Sequence, residues 1–205
     1  MVPAHITPDV LMLLQTHLFQ GPSRLPQTVR WPAEVVTYHV KAPNLHDKRL
    51  TGFCDLVPGA VRTLNRKLKG KVRLDPVATE ESADIRVIFG TAIVFGDNPN
   101  YQEFVASTSA TPGNGDDIAC DDQGRICKPV FVDIGHQHLG CRCKVVEETV
   151  IHEFSHALGI KRHFDGFGNW RGIICDASWD LLATIYSHPP GTAINEITKV
   201  VRAAP

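Results

Sequence analysis

The chain is 205 residues long, 43% apolar and 21% charged, an ordinary globular composition with enough apolar material for one sizeable core. Its 21 lysines and arginines nearly balance 22 aspartates and glutamates, leaving a formal charge of −1, so nothing demands nucleic acid or an anionic membrane as partner. No apolar run reaches the roughly 20 residues that a bilayer-spanning helix needs. The first residues, MVPAHITPDVLMLLQTHLFQGP, lack a basic n-region, and Pro8, Asp9 and Gln15 interrupt their apolar stretch, so they do not read as a signal peptide. Either the protein is not secreted by that route or this sequence begins after a removed leader.

Residues 1–30 read as a polar, proline-punctuated lead-in with one helix from Pro8 to Phe19. From Trp31 the pattern changes. Glu34–Val40 is rich in β-branched and aromatic residues and predicts a strand. Between Lys48 and Lys69 the apolar residues Leu50, Phe53, Leu56, Val57, Val61, Leu64 and Leu68 fit one helix face, with Pro58 and Gly59 weakening the first half. The basic residues from Arg66 to Arg73 read as a solvated helix end and strand start. Lys71–Leu74 and Ala83–Phe89 are further strands. Residues 91–128 are broken by glycines and prolines, with a short strand at Val105–Ser109; a loop that long is usually functional or cross-linked. Pro129–Ile134 predicts another strand. The clearest helix runs from about Lys144 to Ile160, its apolar residues Val145, Val146, Val150, Phe154, Ala157 and Leu158 following the helical repeat until Gly159. Residues 164–190 read as loop, and Thr192–Val201 as a closing helix.

Six cysteines, at 54, 120, 127, 141, 143 and 175, permit three disulfides and thereby an oxidising, extracellular location. The four between 120 and 143 also suit a zinc site, although their spacing matches no common zinc motif well.

The chemistry concentrates in Val150–Phe164. His152 and His156 are four apart, so on a helix both imidazoles share one face and can ligate one tetrahedral ion. Glu153 can reach a water on that ion without ligating it. Zinc lowers the pKa of such a water to about 7, and the carboxylate is the base that takes its proton. Gly159 can turn the chain in a left-handed conformation at little cost, returning His163 beneath the first pair as a third ligand. Asp165, His188 and Glu196 are alternative third ligands. Packing of histidines on an amphipathic helix is the bland alternative, set against the helix strength, Gly159 and His163.

These residues, His152, Glu153, His156, Gly159 and His163, resemble the metzincin clan of zinc peptidases, whose pattern is HExxHxxGxxH followed by a methionine-containing turn beneath the metal. The order of strands and helices is similar to that of matrixins and astacins over roughly residues 31–201. The resemblance implies an α/β (α+β) fold: a five-stranded mixed twisted sheet, a backing helix, an active-site helix, a shallow cleft and a small C-terminal lobe. The expected organisation is an N-terminal extension (1–30) and one catalytic domain (31–205), divided into subdomains 31–160 and 161–205. Two departures stand out. Three residues, Ile160, Lys161 and Arg162, separate Gly159 from His163 where the clan has two, so the loop must bulge. The only methionines are Met1 and Met12, so no methionine turn exists. The segment Ala183–Ser187 looks like its counterpart, with Ile185 as apolar floor and Tyr186 lining the substrate pocket or holding the tetrahedral intermediate; core packing is the alternative for Tyr186. A Cys54–Cys175 bridge would tie the two lobes as a related bridge does in astacins.

The expected activity is therefore zinc-dependent endopeptidase action on protein or peptide substrates by a monomer. A zinc-binding module without peptidase activity is the alternative, and a zinc hydrolase of non-peptide bonds a third. Asp133, His136 and His138 form a second cluster that could hold a structural metal, or are loop histidines. Asp116, Asp117, Asp121 and Asp122 could gather calcium, or form a solvated acidic loop.

Overall fold

A computed structural model describes residues 19–20, 26–43, 48–90, 106–110, 118–135, 145–161, 163–164, 166–167, 174–197 and 200–205. Two short strands, β1 (Phe19–Gln20) and β2 (Pro26–Gln27), pair antiparallel; Phe19 is thus in a strand, and the rest of the helix expected over Pro8–Phe19 lies outside the described residues. The main sheet has five strands: β3 (Val35–Val40), β4 (Arg73–Pro76), β5 (Ile85–Phe89), β6 (Ala106–Ser109) and β7 (Val130–Ile134), in spatial order β4-β3-β5-β7-β6. The first four positions in that order are mutually parallel, and β6 closes the edge antiparallel to β7. The expected strand at Lys71–Leu74 lies two residues later, because Lys71 still belongs to the turn that ends the preceding helix.

The helical stretch predicted over Lys48–Lys69 is two helices, α1 (Lys48–Cys54) and α2 (Val57–Lys67). Pro58 explains the break: it lacks an N–H, suits the first turn of α2, and cannot continue α1. Helix α3 (Glu147–Ala157) buries Val150, Phe154 and Ala157 against the sheet face carrying Val36, Tyr38, Val87, Val132 and Ile134. The Phe154 ring meets Tyr38 edge-on at 5.9 Å. Glu147 and Glu148 suit the positive N-terminal end of α3, and Thr63 on α2 donates to Glu147 at 3.1 Å.

Residues 164–190, read as loop, contain helix α4 (Asp176–Ile185). Every residue from Ser178 to Ile185 is buried, so the segment shows no polar stripe and no helical repeat. Ala183–Ile185, in the segment likened to the methionine turn, forms the last turn of this helix, with Tyr186 as its cap. The closing helix expected over Thr192–Val201 is reduced, among the described residues, to one 3-10 turn at Ile194–Glu196. The tail's backbone instead bonds to side chains of α4: Val201 N–H to the Thr184 hydroxyl at 2.9 Å and Ala203 N–H to the Asp180 carboxylate at 2.9 Å. Arg202 pairs with that same buried Asp180.

Residues 27–30, assigned by sequence to an extension, are buried in the body. Thr28 exchanges backbone bonds with Gly191 and Thr192, and Arg30 with Gly124 and Ile126. Trp31 donates its indole N–H to the Ala157 carbonyl at 2.8 Å, satisfying one orphan acceptor at the end of α3.

No disulfide joins described cysteines. Cys54, Cys127 and Cys175 are free thiols, so the bridge expected between 54 and 175 is not formed. Cys141 and Cys143 lie outside the described residues, as do His136, His138, Asp116, Asp117 and Asp165. No helix among the described residues is long and apolar enough to cross a membrane.

Candidate metal centre

Helix α3 places His152, Glu153 and His156 on its last two turns. The helix then stops at Gly159, whose φ is +116°. A side chain there would also strike the Val29 carbonyl, since a Cβ would sit 2.0 Å from its oxygen. Glycine is therefore required twice, for the left-handed backbone and for the close passage of the N-terminal segment. Beyond it the chain reverses and delivers His163, even with the extra residue in the loop.

The three Nε2 atoms converge. They stand 3.1 Å apart between His152 and His156, 3.0 Å between His152 and His163, and 3.3 Å between His156 and His163. A tetrahedral zinc ion at about 2.0–2.1 Å from each nitrogen would space them about 3.4 Å apart. His152 is buried, His156 half-buried, and His163 faces solvent.

The tautomers explain why the His152–His156 contact is not a hydrogen bond. Nδ1 of His156 lies 2.6 Å from the Ile160 carbonyl, and Nδ1 of His152 meets the Phe167 carbonyl. A carbonyl only accepts, so both Nδ1 atoms carry the proton and both Nε2 atoms present lone pairs. Two lone pairs 3.1 Å apart repel unless a cation lies between them. The donor set suits zinc, which histidine nitrogens commonly ligate. Burial also favours the uncharged form of His152, lowering it to about 4, and it lowers His163. Such a group of three could hold a metal ion.

Phe167 forms the floor. Its ring centroid is 4.4 Å from His152, 5.0 Å from His156 and 6.3 Å from His163, and it stacks on Phe164 at 5.0 Å. The sequence reading assigned an apolar floor to Ile185 and did not single out Phe167. No local signal marks it, because its role comes from a bridge with Ile174 and a carbonyl aimed at His152. Ile185 is a buried core residue.

Glu153 is 6% exposed. The Thr108 hydroxyl on edge strand β6 donates to its Oε2 at 2.7 Å and lies 2.9 Å from its backbone carbonyl oxygen. Burial raises the carboxyl to about 7; the Thr108 bond opposes that rise and nearby Asp133 adds to it. A carboxyl balanced near neutrality can both take and return a proton.

Tyr186 is the last turn's cap on α4 and only 4% exposed. Its ring lies under the Arg30 guanidinium at 4.8 Å, its carbonyl accepts from Arg30 at 2.9 Å, and its hydroxyl is buried. Burial drives that phenol strongly upward. This position matches core packing; a hydroxyl at such depth does not line a substrate surface. Of the other third-ligand candidates, Glu196 is exposed in the 3-10 turn, and His188 bonds the Thr184 carbonyl at 2.9 Å. Asp121 folds back on its own loop, accepting from the Gln123 and Arg125 N–H groups and pairing with Arg125.

Compared with known proteins, the chain matches no protein-family model and no curated protein.

Proposed function

We propose that this protein is a metzincin-like zinc endopeptidase, with His152, His156 and His163 holding the metal and Glu153 as general base. The observation that carries the reading is the triangle of Nε2 atoms, two of them fixed as acceptors by backbone carbonyls. The five-stranded mixed sheet above α3 agrees with the architecture that the resemblance implies.

Bound zinc would supply Lewis acidity toward a scissile carbonyl and acidify a water nucleophile. Glu153, next to the first ligand and balanced near pH 7, takes the proton of the attacking water and delivers it to the leaving amine. The Ile160 and Phe167 carbonyls hold the imidazoles in the ligating tautomer throughout. Phe167, stacked on Phe164, packs beneath the cluster.

The second reading is a zinc-binding module without peptidase activity. The buried hydroxyl of Tyr186 favours it, because it removes the one side chain expected to help hold an oxyanion. Metal analysis with an anomalous-scattering map, plus cleavage of a mixed-peptide pool and of matched ester substrates with and without chelator, separates the readings. Zinc on three histidines with chelator-sensitive cleavage is the expected result. Bound zinc with intact peptides selects the module, and ester cleavage without amide cleavage selects a hydrolase of non-peptide bonds. A protein that stays metal-free under zinc-replete conditions removes both.

A further inference from the structure

We propose that Thr108 is the positioning residue for Glu153, its hydroxyl pinning the carboxylate of the active-site helix to the edge strand of the sheet. This rests on the reading of Glu153 as the base.

Strand β6 pairs only with β7 among the described strands, and the pairing puts Thr108 opposite Val132 and Ala106 opposite Ile134. Val132 and Ile134 belong to the core face, so Thr108 points toward α3 as well. Its hydroxyl reaches two acceptors on one residue, Oε2 of Glu153 at 2.7 Å and its backbone oxygen at 2.9 Å. A hydroxyl offers one rotatable proton and two lone pairs. With the carboxylate ionised, the proton points at Oε2. The backbone oxygen beside it keeps the hydroxyl over the same residue, so strand β6 fixes where the carboxylate of α3 stands. Glutamate has three side-chain torsions, and burial alone does not choose among its rotamers.

The test uses the full chain as wild type, Thr108→Val, Thr108→Ser and Glu153→Gln. Each is loaded with zinc for peptide-pool kinetics, and with cobalt for a visible spectrum that reports the ligand field. Valine keeps the shape and removes the hydroxyl; serine restores it. Thr108→Val is expected to lower kcat about 10–100-fold, the scale of a misplaced catalytic group, with KM and metal content within about twofold, and Thr108→Ser to stay within about threefold of wild type. The cobalt spectrum of Thr108→Val is expected to move toward that of Glu153→Gln, and that of Thr108→Ser to stay with wild type. Should the valine variant fail to fold, Thr108→Ala carries the same comparison. Full kcat in a folded Thr108→Val protein, or a loss in Thr108→Ser as large as in Thr108→Val, overturns the proposal. If wild type cleaves nothing, the peptidase reading fails by itself and the spectra decide Thr108: an unchanged Thr108→Val spectrum refutes the positioning role.

Discussion

The backbone carbonyl of Phe167 accepts the Nδ1–H of His152, and the Phe167 ring centroid lies 4.4 Å from that imidazole. One residue thus sets both the tautomer and the tilt of the most buried ligand. Phe167→Leu retains the carbonyl and removes the ring tilted against His152. It is expected to cost about 1 kcal/mol of stability and to weaken zinc binding about tenfold. Competition against a chromogenic chelator measures the second effect; unchanged affinity would show that the ring has no part in orienting the ligand.

Glu153→Gln keeps the size of the side chain and deletes the base. Turnover is expected to fall about 10²–10⁴-fold while one zinc per chain remains, because the three imidazoles are untouched. Zinc content and peptide cleavage on the same preparation check this, and ordinary turnover in the variant would rule out the assigned role.

At Gly159 two requirements coincide, a φ of +116° and a Val29 carbonyl where a Cβ would go. Gly159→Ala is expected to destabilise the fold by about 3 kcal/mol or more. It also shifts the turn that returns His163, so zinc affinity should drop with stability. Denaturant midpoints and metal content read the two consequences; a variant as stable as wild type would show that the turn tolerates a side chain.

In the metal-free protein His152 and Glu153 have opposite pH slopes. Burial lowers His152 from 6.5 to about 4, so its contribution to stability is present above pH 6.5 and is lost as pH falls toward 4. Burial raises Glu153 from 4.5 to about 7, so its contribution is present below pH 4.5 and is lost as pH rises through 7. Between 4.5 and 6.5 the two oppose each other. Removing the carboxyl with Glu153→Gln should leave the histidine slope alone, so apo-variant stability rises with pH across that window more steeply than wild type. Urea midpoints at both ends of the window test this, and equal slopes for the two proteins would contradict it.

What the sequence determined by itself was local. The four-residue spacing of His152 and His156, the carboxyl between them and the glycine that ends their helix are consequences of helical geometry. They needed no knowledge of neighbours. Strands β3, β5 and β7 were legible for the same reason, as β-branched runs closed by turns. Helix α4 was not, because a helix buried on every side has no amphipathic stripe to read. Nor was the loss of the tail helix, where Thr184 and Asp180 side chains bond the backbone N–H groups of Val201 and Ala203. Only the tertiary structure brought Thr108 to Glu153, 45 residues away, and Phe167 to His152, 15 away. Periodicity describes how a segment presents its faces, and which groups meet across the core depends on how those faces pack.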